Sequence, residues 1–257
     1  MLNRPTDSRR DNAVGWIRDA IRARGFFGAL RFYGSTLHDL LRDLAPTRRK
    51  SRYGDIDFDF DFGVDTTWAT VGWRTRVREW LRGVQYQASE PELFREILAS
   101  VPVSIEGFTF IDLGSGKGRT LLMASDHPFR RIIGIELLAE LNATAAQNIA
   151  LYKSDQQKCF NIEARAGDAR YFEFPSEPTV LYLFSPFPEH IMREVLGNLE
   201  QSFIKSPRPV YVLYHNLVHE SVFDEQPWLR RLHRTHQFGA YEVESSGSGT
   251  AANKKVG

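Results

Sequence analysis

The chain has 257 residues, enough for one large domain or for one domain with an extension. Its hydrophobic content of 42% and charged content of 25% are ordinary for a globular protein that buries a core, and its net charge of +1 argues neither for nor against nucleic acid. The single cysteine, Cys159, excludes an internal disulfide, and no apolar run approaches the ~18 residues that span a bilayer, so we expect a protein of the reducing cytoplasm without a transmembrane segment.

The N-terminal part is basic, since residues 1–52 contain twelve Lys or Arg and five Asp or Glu. Apolar residues recur at helical spacing between residues 16 and 44, which predicts a helical extension within residues 1–85. Its charge could attract an anionic partner such as nucleic acid, a membrane surface or an acidic protein, or it could be a solvated face. Residues 53–62 alternate acidic and apolar side chains, which predicts a strand or extended segment whose aspartates lie against the basic segment.

Strand-like and helix-like segments alternate from about residue 86 onward. The predicted strands cover residues 108–113, 131–136, 159–166, 180–184 and 210–214. The predicted helices cover residues 90–100, 118–126, 138–152, 189–203 and 217–225. This alternation predicts an α/β fold, a Rossmann-like and mostly parallel sheet with helices on both faces, over residues 86–244. Residues 232–243 look like a hairpin with Gly239 and Ala240 between its strands, and residues 245–257 are predicted to be a disordered tail.

The strongest motif is a glycine-rich turn, FIDLGSGKGR at residues 110–119, between a predicted strand and a predicted helix. Glycines allow a sharp turn and a close approach of the backbone to a ligand beyond the carboxyl ends of the strands. A dinucleotide site would read G-x-G-x-x-G, but Gly118 comes one residue early and Arg119 occupies the expected place. A phosphate-binding loop would need Ser or Thr after Lys117 and a glycine at position 111, so that pattern fails as well.

Two acidic residues follow the next two predicted strands. Glu136 ends the second strand, eighteen residues after Gly118, and Asp168 follows the third in the sequence GDA. A carboxylate at Glu136 can accept hydrogen bonds from both hydroxyls of a ribose, whereas a solvated glutamate at a helix start is the other interpretation. For Asp168, the other interpretation is a turn or a helix cap.

The D-x-G-x-G-x-G spacing from Asp112 to Gly118 resembles the first motif of class I S-adenosylmethionine-dependent methyltransferases. The resemblance covers about residues 86–243 and implies a seven-stranded sheet in which the terminal hairpin makes one strand antiparallel. FIDLGSGKGR, PFRRIIGIE, GDAR and LYLFSPF are similar to a bacterial group whose acceptor is not generally known, and DLGSG resembles the non-SET histone lysine methyltransferases. The resemblance implies that S-adenosylmethionine is the cofactor and is bound by Tyr86, Asp112, Gly114, Ser115, Gly116, Glu136 and Asp168.

The acceptor side is predicted at the ends of the fourth and fifth strands. Ser185-Pro186-Phe187 stands where many N-methyltransferases have Asn or Asp, then Pro, then an aromatic residue. The resemblance implies that Ser185 and Phe187 contact the acceptor, although the serine departs from the amide or acid that holds an amine. His215, just after the fifth strand, is a candidate base, and a structural histidine is the alternative. Residues 65–68 could line the acceptor entrance or form a capped turn.

The leading hypothesis is therefore a methyltransferase that uses S-adenosylmethionine and acts on an unidentified acceptor, either a protein lysine or other amine or a small molecule. Ser185 keeps open the alternative of a catalytically inactive S-adenosylmethionine-binding regulatory protein. A nicotinamide-dependent oxidoreductase is disfavoured by the glycine spacing. No metal is predicted, since His215, His219, His233 and His236 have no cysteine nearby.

Overall fold

The structure, a computed structural model, describes residues 56–67, 88–184 and 187–244. The predictions for most of the basic extension, for Tyr86 and Ser185, and for the tail lie outside the described residues. Residues 58–66 belong to the same compact unit as the described residues from Ala88 onward.

One sheet of seven strands forms the centre of this unit. The strands are β1 (Thr109–Leu113), β2 (Arg131–Glu136), β3 (Ile162–Ala166), β4 (Thr179–Phe184), β5 (Val210–His215), β6 (Leu229–Arg234) and β7 (Phe238–Val243). Their order is β3-β2-β1-β4-β5-β7-β6; the first five pair in parallel, and β7 is antiparallel to both of its neighbours. The Rossmann-like, mostly parallel sheet is thus confirmed. Strand order reverses between β1 and β4, so the carboxyl ends of these strands border the crevice in which such sheets bind ligands.

Helices cover both faces of the sheet, as predicted. They are α1 (Ile56–Phe62), α2 (Pro91–Ala99), α3 (Arg119–Ser125), α4 (Ala139–Leu151), α5 (Glu189–Lys205) and α6 (Glu220–Asp224), with a 3₁₀ turn at Ala169–Tyr171. Successive strand residues enter opposite cores: Phe110 packs with residues of α1 to α4, and Ile111 packs with residues of α5 and α6. Within the described ranges, no helix has both the length and the apolar character needed to cross a membrane.

Helix α1 corrects the prediction of a strand over residues 53–62. The alternating pattern also places Phe58 and Phe62 four residues apart, which is the spacing of one helix face. Both rings pack against Tyr152, with centroid distances of 6.4 and 4.9 Å, while Phe60 on the opposite side is 85% exposed. The sequence of this segment fits both the two-residue period of a strand and the i, i+4 spacing of a helix. The contact with Tyr152 at the end of α4, about ninety residues later in the chain, favours the helix.

Two further boundaries differ from the predictions around β3 and α6. The strand predicted from residue 159 begins at Ile162, because the backbone N–H groups of Lys158 and Cys159 donate to the Ser125 carbonyl at the end of α3. Cys159 is buried in the core, as expected for a small apolar side chain. The helix predicted over residues 217–225 is shorter in the structure, where α6 begins at Glu220 and ends at Asp224. Asn216, which precedes it, adopts a left-handed conformation with φ 59°.

The terminal hairpin is present, but its turn is not at Gly239 and Ala240, which lie inside β7. Thr235 closes the turn: its hydroxyl accepts hydrogen bonds from the N–H groups of Gln237 and Phe238, each at 3.1 Å. A side chain at Gly239 would come within 2.9 Å of the Tyr241 ring, so this glycine marks a close approach inside a strand rather than a turn.

Candidate functional site

The glycine-rich turn joins β1 to α3 and lies over the end of β2. Gly114, Gly116 and Gly118 have φ values of 90°, 54° and 83°, in the left-handed region that favours glycine. The N–H groups of Gly114 and Ser115 both donate to the Ile135 carbonyl, at 2.8 and 3.1 Å. The turn therefore has a defined conformation that depends on its glycines and on β2.

Gly134 in β2 leaves the space that the turn occupies. A Cβ atom there would lie 2.7 Å from the Ser115 Oγ and 2.6 Å from a methyl group of Leu121. Ser115 is buried, and its hydroxyl has no hydrogen-bond partner among the described residues. Ser115 thus faces β2 with its side chain. Sequence reasoning missed Gly134, although a glycine within an apolar strand is a signal of close approach.

Glu136 links the end of β2 to the turn. Its Oε2 accepts a hydrogen bond from the Gly116 N–H at 2.9 Å, and its Oε1 accepts one from the Leu138 N–H at 2.8 Å. The side chain is 8% exposed, so the interpretation of a solvated glutamate is wrong. An ionised carboxylate has about four acceptor positions, so two backbone bonds are compatible with additional hydroxyl donors.

Asp112, near the end of β1, is buried and accepts a hydrogen bond from the Thr120 hydroxyl of α3. Burial raises the pKa of this carboxyl to about 7; the Thr120 bond opposes the shift, and the charge of Glu136 adds to it. The hydrogen bond between Asp112 and Thr120 links β1 to α3 next to the turn.

Lys117, within the turn, is only 2% exposed and donates to the Asp65 carboxylate at 2.7 Å. Asn148 of α4 holds both partners: its amide nitrogen donates to the backbone carbonyls of Asp65 and Lys117, and its amide oxygen accepts from the Asp65 N–H. Asp65 therefore lies against the glycine-rich turn. The burial of Lys117 was not predicted from the sequence, because its partner Asp65 is 52 residues earlier in the chain.

Arg119, the first residue of α3, is buried in the same way. Its guanidinium contacts the Asp59 carboxylate at 3.1 Å, donates to the Thr66 hydroxyl at 2.5 Å and lies 4.9 Å from the centroid of the Phe58 ring. Thr66 in turn donates to the Asp59 carboxylate. The acidic segment thus pairs with cations of the turn; whether it also contacts the basic segment before it lies outside the described residues.

His215 ends β5 beside the end of β4. Its ring stacks on Phe184 at a centroid distance of 3.8 Å and an interplanar angle of 15°, and its Nδ1 is 2.8 Å from the Tyr182 hydroxyl. The Tyr182 hydroxyl is also 2.9 Å from the Ser89 Oγ. Burial lowers the pKa of His215 to about 4, so the imidazole is neutral at neutral pH.

The remaining predicted residues lie at the same edge of the sheet with different partners. Asp168 follows β3 and forms an ion pair with Arg170 at 2.7 Å, while also accepting the Arg170 N–H as the cap of the 3₁₀ turn. The hydrogen bond from Arg170 holds the pKa of Asp168 below its usual value. Phe187 is partly buried against the core beneath α5 and α6. Leu137, directly after Glu136, is 55% exposed, and sequence reasoning overlooked it as an apolar surface beside the carboxylate.

The predicted residues therefore form two groups. The structure brings Asp112, Gly114, Ser115, Gly116 and Glu136 together at β1 and β2, with Asp168 after the neighbouring β3. It places His215 at β5, beside the strand that leads to Phe187. The groups meet where Asp112 pairs in register with Tyr182. In the part of the chain that the structure describes, no three His, Cys, Asp or Glu side chains form a group that could hold a metal ion.

No protein-family model and no curated protein sequence matches the chain. It is similar to a solved RNA methyltransferase from Salinibacter ruber in complex with S-adenosyl-L-homocysteine, with 20% identity over 61% of this chain and 92% of that one and a TM-score of 0.44. The N-methyltransferase NodS from Bradyrhizobium japonicum WM9 is 11% identical over 60% of this chain and 96% of its own, with a TM-score of 0.44. A TehB-like SAM-dependent methyltransferase from Corynebacterium glutamicum ATCC 13032 is 15% identical over 67% and 95%, with a TM-score of 0.43. With TM-scores below 0.5, these similarities identify no function for this chain.

Proposed function

We propose that the chain is a methyltransferase that binds S-adenosylmethionine at the glycine-rich turn and methylates an acceptor at the ends of β4 and β5. The observation that carries the proposal is the hydrogen bond from the Gly116 N–H to the Glu136 carboxylate. This hydrogen bond holds the Glu136 carboxylate beside the glycine-rich turn, at the carboxyl ends of the strands. A ligand with a ribose requires both a backbone that it can approach closely and an acidic acceptor for its hydroxyls. The exposed Leu137 beside them offers an apolar surface to a base.

The charges around the turn favour this cofactor over one bound through phosphates. Lys117 and Arg119 are the cations that a phosphate would use, and both are buried in ion pairs with Asp65 and Asp59. A pyrophosphate at the start of α3 would therefore meet cations that are already neutralised and carboxylates that repel it. Arg119 also fills the position at which a dinucleotide loop has its third glycine.

When bound, S-adenosylmethionine would supply a methyl group on a positively charged sulfur, and the C–S bond would break as the nucleophile bonds to the methyl carbon, with S-adenosylhomocysteine as the neutral leaving group. The main task of the protein is then to hold the acceptor in line, and well-oriented groups can gain roughly 7–11 kcal/mol. We place Ser185, Phe187 and His215 on this acceptor side. A base whose pKa is about 4 removes protons poorly at neutral pH, so His215 favours an acceptor that reacts without deprotonation by the enzyme, such as a neutral amine.

The domain bounds, the further cofactor contacts, the anionic partner and the cellular location are also proposals. We infer that residues 86–244 form the cofactor-binding domain and that Tyr86, Ser115 and Asp168 contribute to it, Ser115 through its backbone. The anionic partner of residues 1–85 and the cytoplasmic location are expectations of the same kind.

The first experiment compares S-adenosylmethionine, S-adenosylhomocysteine and NAD by calorimetric titration and by melting of the purified chain. A ligand at 100 times its dissociation constant stabilises the folded state by about 2.7 kcal/mol. We expect this from the first two ligands, and stabilisation by NAD alone would contradict the proposal.

The second experiment adds methyl-labelled S-adenosylmethionine and the protein to cell extract that is then fractionated into protein, nucleic acid and small molecules. Label in one fraction identifies the class of acceptor. Cofactor binding with no transfer of label to any fraction would instead indicate the regulatory protein without turnover.

A further inference from the structure

A buried chain of hydrogen bonds runs from Ser89 through Tyr182 to His215. The Ser89 Oγ lies 2.9 Å from the Tyr182 hydroxyl, which lies 2.8 Å from His215 Nδ1. The three residues are 3%, 0% and 7% exposed, and Phe184 stacks on the imidazole. Stacking fixes the plane of the ring and Tyr182 occupies Nδ1. His215 Nε2 makes no hydrogen bond to a residue that the structure describes.

The ionisation states of this chain are determined by burial. Burial raises the pKa of Tyr182, and the neighbouring Asp112 adds to the shift, so the phenol keeps its proton. Burial lowers the pKa of His215 to about 4, so the imidazole carries one proton, on one of its two nitrogens.

Two arrangements of protons satisfy the distances. In the first, Ser89 donates to Tyr182, Tyr182 donates to His215 Nδ1, and the imidazole proton is on Nε2. In the second, Nδ1–H donates to the Tyr182 oxygen, and Tyr182 donates to Ser89. In the first arrangement the phenol, a stronger hydrogen-bond donor than a serine hydroxyl, donates to the imidazole nitrogen, a stronger acceptor than a phenol oxygen. The second uses the phenol oxygen as acceptor and gives its proton to a serine, which is the weaker combination.

We propose that Tyr182 is a positioning residue that holds His215 with its proton on Nε2, so that His215 presents a hydrogen-bond donor rather than a base at the ends of β4 and β5. The group that His215 recognises is then a hydrogen-bond acceptor, such as the oxygen of a carbonyl or carboxylate. As a statement about the acceptor molecule, this rests on the proposed function, because it selects acceptors that carry such an oxygen beside the methylated atom.

The tautomer can be observed directly, without cofactor or acceptor. Long-range ¹H–¹⁵N correlation spectra of the uniformly ¹⁵N-labelled full chain at neutral pH distinguish a protonated from an unprotonated ring nitrogen, and the His215→Gln variant identifies the His215 signals. We expect a protonated Nε2 and an unprotonated Nδ1. A protonated Nδ1 in the unmodified protein would overturn the proposal.

Two variants separate the roles of the neighbouring hydroxyls. Tyr182→Phe removes the donor, so we expect the His215 signals to move toward the average of a mixture of tautomers. Ser89→Ala is the matched control: in the proposed arrangement serine only donates to Tyr182, so the His215 tautomer should not change. Unchanged signals in Tyr182→Phe, or a change of tautomer in Ser89→Ala, would contradict the assignment. Backbone amide spectra of each variant verify that the fold is intact.

A kinetic comparison follows once an acceptor is known. His215→Gln keeps an N–H donor but cannot act as a base, whereas His215→Phe keeps neither function. We expect kcat/KM to fall roughly tenfold more in the phenylalanine variant, the factor that corresponds to about 1.4 kcal/mol. Equal losses would refute the donor role. A chain that fails to bind S-adenosylmethionine but shows the expected tautomer would refute only the proposed function.

Discussion

Replacement of Glu136 by alanine tests the centre of the proposed site. The carboxylate accepts the N–H groups of Gly116 and Leu138 in a position that is 8% exposed. Hydrogen bonds to a charged group contribute about 1.5–3 kcal/mol each, so two such bonds would amount to roughly 3–6 kcal/mol. Water can enter the space that the side chain leaves and can satisfy part of the two donors. We therefore expect Glu136→Ala to lower the free energy of unfolding by about 2–4 kcal/mol.

The same substitution should weaken S-adenosylmethionine binding by roughly tenfold to several hundredfold, since each 1.4 kcal/mol of lost binding energy is a factor of about ten. Part of the loss comes from the ligand hydroxyls and part from the turn, because Gly116 is no longer held. Denaturant unfolding gives the stability, and calorimetric titration of the folded variant gives the affinity. Glu106→Ala is the matched control, since Glu106 is exposed on a loop and its side chain makes no hydrogen bond to a described residue.

The two measurements refute different parts of the reasoning. An affinity within about twofold of the parent, well under the factor of ten for one lost bond, would place the adenosine away from Glu136. An unchanged free energy of unfolding would mean that the two backbone bonds do not hold the turn in solution. Stability should fall in Glu136→Ala without ligand, because the residue is buried rather than solvent-facing.

Three further predictions concern the turn and its supports. Gly116→Val should abolish cofactor binding, because φ is 54° there and a β-branched side chain would occupy the space of the ligand; unchanged affinity by calorimetry would remove the turn from the site. Asp65→Ala deprives the buried Lys117 of an ion-pair partner and should lower the free energy of unfolding by about 1–3 kcal/mol, less than for a fully buried pair because the Asp65 side chain is 42% exposed; denaturant unfolding that matches the parent would contradict this. Burial raises the pKa of Asp112 from 3.8 to about 7, so its protonated form stabilises the fold below pH 3.8 and this contribution is lost as pH rises through about 7. The stability of the parent relative to Asp112→Asn should therefore decline between those pH values in denaturant unfolding, and a constant difference would show that the carboxyl titrates normally.

The sheet was predictable because its central strands are buried on both sides. A parallel strand covered by helices on both faces has a continuous apolar run, as at residues 132–135, which the charged residues Arg131 and Glu136 bound. The carboxyl ends of neighbouring parallel strands meet at one edge, so the sequence also predicted that Glu136 lies near the turn that follows Leu113. These inferences need only local pattern and one general rule of topology.

The contacts of the site could not be predicted in the same way, because they join residues far apart in the chain. Lys117 and Arg119 would ordinarily be solvated, and their burial depends on Asp65 and Asp59, which lie 52 and 60 residues earlier. The candidate base at His215 was a reasonable prediction from its place after a strand. Its lowered pKa depends on burial in the folded protein, which no local pattern reveals.

The electrostatic design of the crevice links these long-range contacts to the choice of ligand. Lys117 and Arg119 carry the positive charge nearest to the turn, and the carboxylates of residues 59 and 65 neutralise it, while His215 at the other end is uncharged at neutral pH. A phosphate-bearing ligand gains little from such surroundings, since its main attraction is to unpaired cations and to the start of a helix. A ligand with hydroxyl groups and a positive charge gains from the Glu136 carboxylate and meets no uncompensated cation among these residues. Under the proposed function, the acidic segment ahead of the sheet would therefore disfavour phosphate-bearing ligands as well as stabilise the fold, because its carboxylates neutralise the two cations at the turn.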